Sequence, residues 1–147
     1  MQIAVEKRFE AAPEDVYRAL TDPDEITRAF SAIELVDADG DDWTVLVRPP
    51  LPGGFRLKFS LRFDDRREPE HARLRAWGKS LGGRVSVDSS FELEPDGAGT
   101  HMRWQAEVDA AGLFAGLGSQ ALGPVATHQA ERALGRLAER MEQAAAR

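Results

Sequence analysis

The side chains that could perform acid–base, nucleophilic or metal chemistry are scattered along this chain. No pair of its histidines, His71, His101 and His128, has the four-residue spacing that holds zinc on a helix. No Gly-x-Ser-x-Gly nucleophile elbow accompanies them, and the chain contains no cysteine. The sequence therefore predicts neither a hydrolytic triad nor a metal centre.

Three short patterns resemble ligand loops without fitting them. The acidic turn at 37–42 suggests a calcium loop, but Asp42 and Arg48 stand where such loops need Gly and Glu. The pairs Gly53-Gly54 and Gly82-Gly83 lack the Lys-Ser/Thr that follows in a phosphate loop. We interpret the first as a solvated hairpin turn and the other two as loops.

Length and charge narrow the classes of function. The 147 residues suit one domain, predicted over 1–147, and 42% apolar content indicates a folded chain. The net charge is −6 and no stretch clusters Lys and Arg with aromatic residues, so we expect neither nucleic-acid binding nor a polybasic membrane patch. Neither a signal peptide nor an apolar run of about 20 residues is evident, which predicts a cytoplasmic protein without an integral membrane segment.

The elements that would position any site begin with a strand and two short helices. Residues 2–9 alternate loosely, as in a strand. Pro13 suits the first turn of a helix, and a second short helix follows with Ile26 and Phe30 on its apolar face. These two helices can close one end of a sheet.

From Ser31 onward apolar residues recur with period two, which predicts about six strands in hairpin connection and hence one antiparallel sheet. The alternation predicts which residues share the buried face of the later strands. They are Phe55, Leu57, Phe59, Leu61 and Phe63; Leu74, Ala76 and Gly78; Val85, Val87, Ser89, Phe91 and Leu93; and Thr100, Met102, Trp104, Ala106 and Val108.

The last quarter of the chain predicts a long helix with one apolar stripe. The stripe comprises Leu122, Ala126, Ala130, Ala133, Leu134, Leu137 and Met141. The opposite side is predicted to hold Glu131, Arg132, Arg136, Glu139 and Arg140. Because Pro124 cannot donate to the preceding turn, we expect a kink or break there, with 112–123 forming a separate turn or lid.

Small residues are predicted to face one another between this helix and the sheet. Ala76, Gly78 and Ser89 oppose the glycine-rich stretch 112–119, which gives either close packing or an unfilled volume. An unfilled volume would be an apolar ligand-binding cavity. Its predicted walls are Phe55, Leu57, Phe59, Leu61, Leu74, Ala76, Gly78, Val87, Ser89, Met102, Trp104, Leu113, Phe114 and Leu117.

Catalysis in such a cavity would need an acid or base inside it. The strand alternation instead places the candidates on the opposite face: Asp88, Glu92, His101 and Glu107. The inward hydroxyls of Ser89 and Thr100 are expected to bond to nearby backbone. We therefore expect no catalytic residue, no metal and no cofactor.

Four motifs carry a resemblance to a known family. They are FEAAPEDVY at 9–17 with TDPD at 21–24, LRAWG at 74–78 followed by Gly82-Gly83, GAGTHMRW at 97–104, and GLFAGLGS at 112–119. In these motifs the chain resembles START-like (SRPBCC, helix-grip) proteins, and most of all the family of the G subunit of carbon monoxide dehydrogenase.

The resemblance implies an α+β helix-grip fold. A curved antiparallel sheet of about seven strands would wrap around the long C-terminal helix, with two short helices after the first strand and an apolar cavity between sheet and helix. It also implies non-catalytic binding of an apolar small molecule, such as a lipid, an isoprenoid or a quinone, by an accessory protein of a molybdenum-containing carbon monoxide dehydrogenase-type enzyme.

The expected partners are thus an apolar ligand and an oxidoreductase complex, with a homodimer left open. Two alternatives remain on the same fold. One is a small enzyme of cyclase or dehydratase type, and the other is a protein-interaction subunit whose pocket is vestigial.

Overall fold

The computed structural model of the chain describes residues 2–48, 56–80, 83–112 and 119–145. The helices and strands, in chain order, are β1 (Gln2–Phe9), α1 (Pro13–Leu20), α2 (Pro23–Ala29), β2 (Ile33–Asp39), β3 (Asp42–Val47), β4 (Leu57–Arg67), β5 (His71–Ser80), β6 (Gly83–Asp96), β7 (Gly99–Gly112) and α3 (Ser119–Ala145).

The seven strands form one antiparallel sheet in the order β1-β7-β6-β5-β4-β3-β2. Two short helices follow β1, and the long helix closes the chain. Gly40 and Gly97 turn the β2–β3 and β6–β7 hairpins with φ of 60° and 61°, a conformation that glycine adopts without strain. The predicted α+β fold is confirmed.

The pairing register gives this sheet one apolar and one charged face. Directly opposite residues share a face, so Leu61, Ala76, Val87 and Val108 form one row across β4, β5, β6 and β7. Apolar rows continue on both sides of it. This inner face packs against α3, whose Leu137 shares one buried cluster with residues of β1, β6 and β7. The inward sets predicted from the alternation agree with this register wherever the structure describes them.

The stripe of α3 is buried as the spacing predicts. Ala133, Leu134 and Leu137 are buried, as is Ala138, while Ala130 and Met141 pack against the core. The side chains of Leu122 and Ala126 lie outside the described residues.

Of the kink or break predicted at Pro124, the break is wrong, whereas a kink stays a prediction; the predicted lid lies outside the described residues over 113–118. The helix runs continuously from Ser119 to Ala145 and passes through Pro124. The hydrogen bond that proline cannot donate would go to the carbonyl of Gln120, close to the helix start, so Pro124 costs the first turns of α3 a single backbone hydrogen bond.

Two arginines of α3 also depart from the prediction that they lie on the solvent side. The Nε of Arg136 donates to the carbonyl oxygen of Ala29 at 2.7 Å, at the carboxyl end of α2. Arg140 binds the carboxylate of Glu25 at 3.2 Å. Long cationic side chains reach past the apolar stripe and tie α3 to α2.

Candidate ligand-binding face

The inner face is buried in two places and half-buried between them. One buried cluster joins α3 and α1 to β1, β6 and β7 around Phe9, Met102 and Leu137. A second lies on β3, β4 and β5 and comprises Val45, Leu57, Phe59 and Ala76. On β4, β5, β6 and β7, six half-buried residues pack against these clusters, and we call them the inner strip: Leu61, Leu74, Val85, Val87, Trp104 and Val108.

The inner strip differs from the rest of the face in its access to solvent. Met102 on β7 is 0% exposed, as expected where a helix packs closely on a sheet. Its neighbour in the same alternation, Trp104, retains accessible surface. Leu61 and Val87 touch both buried clusters and are also only half-buried. An apolar surface that faces a covering helix yet stays accessible can receive an apolar ligand.

The structure brings ten of the predicted site residues onto this one face. Four belong to the inner strip: Leu61, Leu74, Val87 and Trp104. Four more are buried in the two clusters that the strip packs against: Leu57, Phe59, Ala76 and Met102. Gly78 and Ser89 complete the ten and lie in the same register. Phe55, Leu113, Phe114 and Leu117 lie outside the described residues.

Gly78 is a point of close packing. A Cβ added there would lie 3.1 Å from Cε2 of Phe59 and 3.0 Å from the carbonyl oxygen of Lys58. The small residue therefore makes room for the Phe59 ring, and at this position the close-packing interpretation of the small inner residues holds.

The inward hydroxyls are satisfied by backbone, as predicted. Ser89 donates to the carbonyl oxygen of Leu74 at 3.2 Å, and Thr100 donates to that of Ala11 at 2.7 Å. Thr100 thereby fastens β7 to the segment before α1. Both hydroxyls are engaged in holding the fold, which leaves the inner face apolar in character.

Tyr17 is an exception that the sequence did not reveal. Its side chain is 1% exposed and packs edge-on against Phe91 at 5.7 Å between ring centroids. Its hydroxyl is buried and makes no hydrogen bond within the described part of the chain, although the Arg66 guanidinium is near enough to lower its pKa. Burial outweighs that charge and raises the pKa of Tyr17. Its position on α1 is readable from the sequence, but its unpaired hydroxyl is not.

The chain's acids and bases gather on the outer face. Asp88, Glu92, His101 and Glu107 all stand in outer register, as predicted. Asp88 accepts from Arg73 at 2.8 Å, and this hydrogen bond lowers the pKa of the Asp88 carboxyl. Hollows on this face are shallow and lined by such paired side chains. Within residues 2–48, 56–80, 83–112 and 119–145 no group of acidic or histidine side chains could hold a metal ion.

Two charged residues of the described strands depart from this pattern. One is Arg66 at the irregular end of β4, whose guanidinium lies 4.8 Å from the centroid of the inward Phe63 ring. The other is Lys7 on the edge strand β1, which pairs with Met102 and is half-buried.

The inward position of Lys7 could have been predicted from the sequence, because Lys7 belongs to the same alternating set as the inward residues Ile3, Val5 and Phe9. Val85 and Val108 of the inner strip were likewise predicted to face inward, yet were missing from the predicted walls.

Comparison with solved structures shows the same architecture in several bacterial proteins. A conserved protein from Geobacillus kaustophilus superposes with a TM-score of 0.86 at 16% identity, covering 97% of this chain and 96% of its own. A protein from Thermus thermophilus gives a TM-score of 0.71 at 19% identity, with 98% and 99% covered. A protein from Mycobacterium smegmatis gives 0.72 at 13% identity, with 97% and 92% covered. At such identities the likeness establishes the fold alone.

Sequence comparison identifies the family. No curated protein matches the chain. None of the helices that the structure describes is long and apolar enough to cross a bilayer. The family model for the G subunit of carbon monoxide dehydrogenase (CoxG) matches residues 6–142, which is nearly the whole chain. This protein therefore belongs to the carbon monoxide dehydrogenase CoxG family.

Proposed function

We propose that this protein binds an apolar small molecule between its sheet and α3 and performs no chemistry on it. The ligand would be a lipid, an isoprenoid or a quinone-like molecule. The observation that carries the proposal is the inner strip, a set of apolar side chains on the helix-facing side of the sheet that keep accessible surface.

The size and chemistry of the strip suit a flat or chain-like ligand. The row from Leu61 to Val108 crosses four strands, and adjacent strands are about 4.8 Å apart, so the row spans roughly 15 Å. Trp104 adds an aromatic plane two inward positions away from Val108 along β7. Because the nearby hydroxyls of Ser89 and Thr100 are taken by backbone, recognition would rest on shape and apolar contact.

The distribution of acids and bases supports binding without catalysis. A general acid or base must reach the reacting atom, and the predicted candidates stand on the outer face. Among the described strand positions, Lys7 at the edge of the inner face is the acid or base that an enzyme of cyclase or dehydratase type could use. Replacing Lys7 with Met should then leave ligand binding unchanged.

Family membership supports a role as an accessory protein. We propose that the ligand-bearing domain serves a molybdenum-containing carbon monoxide dehydrogenase-type enzyme in the cytoplasm. A direct test is an equilibrium binding measurement between this protein and the purified dehydrogenase of the same organism. Saturable binding at micromolar concentration or below would support the role, and absence of binding would contradict it.

The ligand-binding proposal is tested with decylubiquinone as the probe. Quinones quench tryptophan fluorescence, and Trp104 belongs to the strip. Val87→Phe should fill part of the site and weaken binding roughly tenfold or more. Ser86→Phe is the matched control, because Ser86 is the preceding residue on the same strand and faces outward.

Three outcomes are informative. Saturable quenching that Val87→Phe weakens and Ser86→Phe leaves intact supports the proposal. Equal effects of both substitutions would place the quinone somewhere other than the inner strip. No saturable quenching of the unsubstituted protein would contradict a quinone ligand, and the same titration with a fluorescent fatty acid then tests the lipid class.

A further inference from the structure

The two short helices that follow β1 are held to the rest of the protein in different ways. α1 buries four of its eight residues: Val16, Tyr17, Ala19 and Leu20. Among the seven residues of α2, only Ala29 is buried. Because a short helix owes most of its stability to the apolar face that it buries, α2 is the less firmly packed of the two.

Polar contacts with α3 hold α2 in its place. The Nε of Arg136 donates to the carbonyl oxygen of Ala29, the last residue of α2, at 2.7 Å. Arg140 donates to both carboxylate oxygens of Glu25, at 3.2 and 3.3 Å. Both side chains of the Glu25 pair keep contact with water. Ion pairs that water can reach contribute little to stability, so this tether can break without unfolding the sheet.

α2 is constructed to move as one piece. Its first turn is capped by Asp22, whose side chain accepts a hydrogen bond from the amide of Asp24 at 2.9 Å. The chain on either side is anchored. The Thr21 hydroxyl donates to a carbonyl of α1 at 2.8 Å, and the amide of Arg48 donates to the carbonyl of Ala32 at 2.8 Å. The capped helix between these two anchors can therefore swing about its ends as a unit.

α2 covers one side of the space between the sheet and α3. It contacts both α3 and β2, which is an edge strand of the sheet. Its apolar residue Ile26 and the adjoining Phe30 pack against the core but are only half-buried. Ile33 and Leu35 of β2 are half-buried as well. Apolar surface at this edge thus stays partly accessible beside a weakly packed helix.

The strand register connects this edge to the inner strip. The row of directly paired residues that begins at Leu35 continues through Val45, Phe59 and Gly78 to Val85 of the strip. The row contains no charged or polar side chain. An apolar molecule that follows it from β2 would remain on apolar surface until it reaches the strip.

We propose that α2 is a hinged gate through which the apolar ligand enters and leaves between β2 and α3. Arg136 and Arg140 hold the gate closed, and α2 swings away from α3 when they release it. Local opening of a weakly packed element costs less free energy than opening of the core, and such elements supply the moving parts of binding sites. The gate rests on the ligand binding proposed above and adds the route to that site.

Stopped-flow measurement of tryptophan quenching by decylubiquinone tests the gate. Replacing Arg136 and Arg140 together with Gln should raise both the association and the dissociation rate constants roughly tenfold. Their ratio, Kd, should stay nearly unchanged, because a gate alters the barrier in both directions. The matched control replaces Arg132 of α3 and Arg103 of the outer face with Gln. It removes the same charge from exposed positions and should leave both rates unchanged.

A reversible cross-link provides the opposite test. The chain contains no cysteine, so Glu25→Cys with Arg140→Cys introduces a single pair of thiols. Without a linker this variant should exchange ligand quickly, since the tether is gone. Bridging the thiols with dithio-bis-maleimidoethane should slow association and dissociation roughly tenfold or more. Cleaving the linker with a reductant should restore the fast rates.

Hydrogen exchange measures the opening without any ligand. Backbone amides of α2 should exchange faster than those of α1, and the Arg136 and Arg140 double substitution should accelerate them further. The amides of β6 should exchange at the same rate in both proteins. A loss of overall stability would instead accelerate exchange in β6 as well.

Two results would overturn the gate. One is saturable binding of decylubiquinone with rates that neither the double substitution nor the cross-link changes, which would place the entrance elsewhere. The other is exchange of the α2 amides as slow as that of β6. Absence of saturable quenching counts against the quinone ligand and not against the gate, for which hydrogen exchange is then the deciding measurement.

Discussion

On β6, Val85 and Val87 lie on the inner, apolar face of the sheet, whereas Arg84 and Asp88 lie on the outer face, so neighbouring residues of one strand meet opposite environments. The inner environment is apolar, with its hydroxyls bound to backbone. The outer environment contains the acids and bases, which bind one another on an open surface. Apart from Lys7 and Tyr17, the candidate acids and bases described above lie across the sheet from the apolar strip.

This separation indicates what kind of function the fold can support. Catalysis needs an ionisable group and a site that excludes water in the same place. Here the accessible apolar strip has neither acid nor histidine in register, and the outer carboxylates have no enclosed site. The inner face has the apolar character that the proposed ligand binding requires.

The largest expected effect is a loss of stability, and it should differ between the buried and the half-buried residues of the inner face. Met102→Ala should lower the free energy of unfolding by about 2–5 kcal/mol because Met102 is fully buried. Leu74→Ala should cost clearly less, since Leu74 already has accessible surface. Chemical denaturation measures both. Equal losses would show that the strip is as well packed as the core and would remove the case for a site.

The next effect concerns the close approach at Gly78. Gly78→Ala should destabilise by about 1–3 kcal/mol, because the added Cβ meets the Phe59 ring and the Lys58 carbonyl. Gly135→Ala in α3 is the control, since nothing lies within 4 Å of a Cβ there, and it should stabilise by about 0.5–1 kcal/mol. Thermal unfolding of the two variants should therefore shift in opposite directions.

A substitution at Tyr17 is expected to stabilise the protein slightly, in contrast to the substitutions at Met102 and Gly78. Tyr17→Phe removes a buried hydroxyl without a hydrogen-bond partner among the described residues and should stabilise by about 1 kcal/mol at neutral pH. Because burial raises the folded-state pKa of Tyr17, its neutral form is the stabilised one. Unsubstituted protein should lose stability as pH rises beyond about 10, and the variant should lose less. A destabilised variant would show that the hydroxyl has a partner after all.

The smallest effect belongs to the paired charges of the outer face. Asp88→Asn should cost less than about 1 kcal/mol at neutral pH, because the pair with Arg73 is largely exposed. The folded-state pKa of Asp88 is lowered, so the stabilisation is present above the unfolded pKa of about 3.9 and is lost as pH falls through the folded value. Stability measured from pH 7 to pH 2 should show the two proteins converging at the acid end.

The strands could be predicted because each inner set repeats every second residue. Leu57, Phe59, Leu61 and Phe63 show the clearest case, and the face that they share follows from the alternation alone. What the sequence could not show depends on contacts across the chain. The continuity of α3 at Pro124 and the binding of Arg136 to Ala29 both arise from tertiary placement. The degree of burial along the inner face, which separates Trp104 from Met102, also appears only in the fold.

The inner strip is proposed to hold an apolar molecule, and native mass spectrometry of the gently purified protein tests this most directly. We predict a mass excess that corresponds to one bound lipid, isoprenoid or quinone, released into organic solvent and reduced by Val87→Phe. A protein that carries no such molecule, and takes up none when decylubiquinone or a fatty acid is supplied, would contradict it.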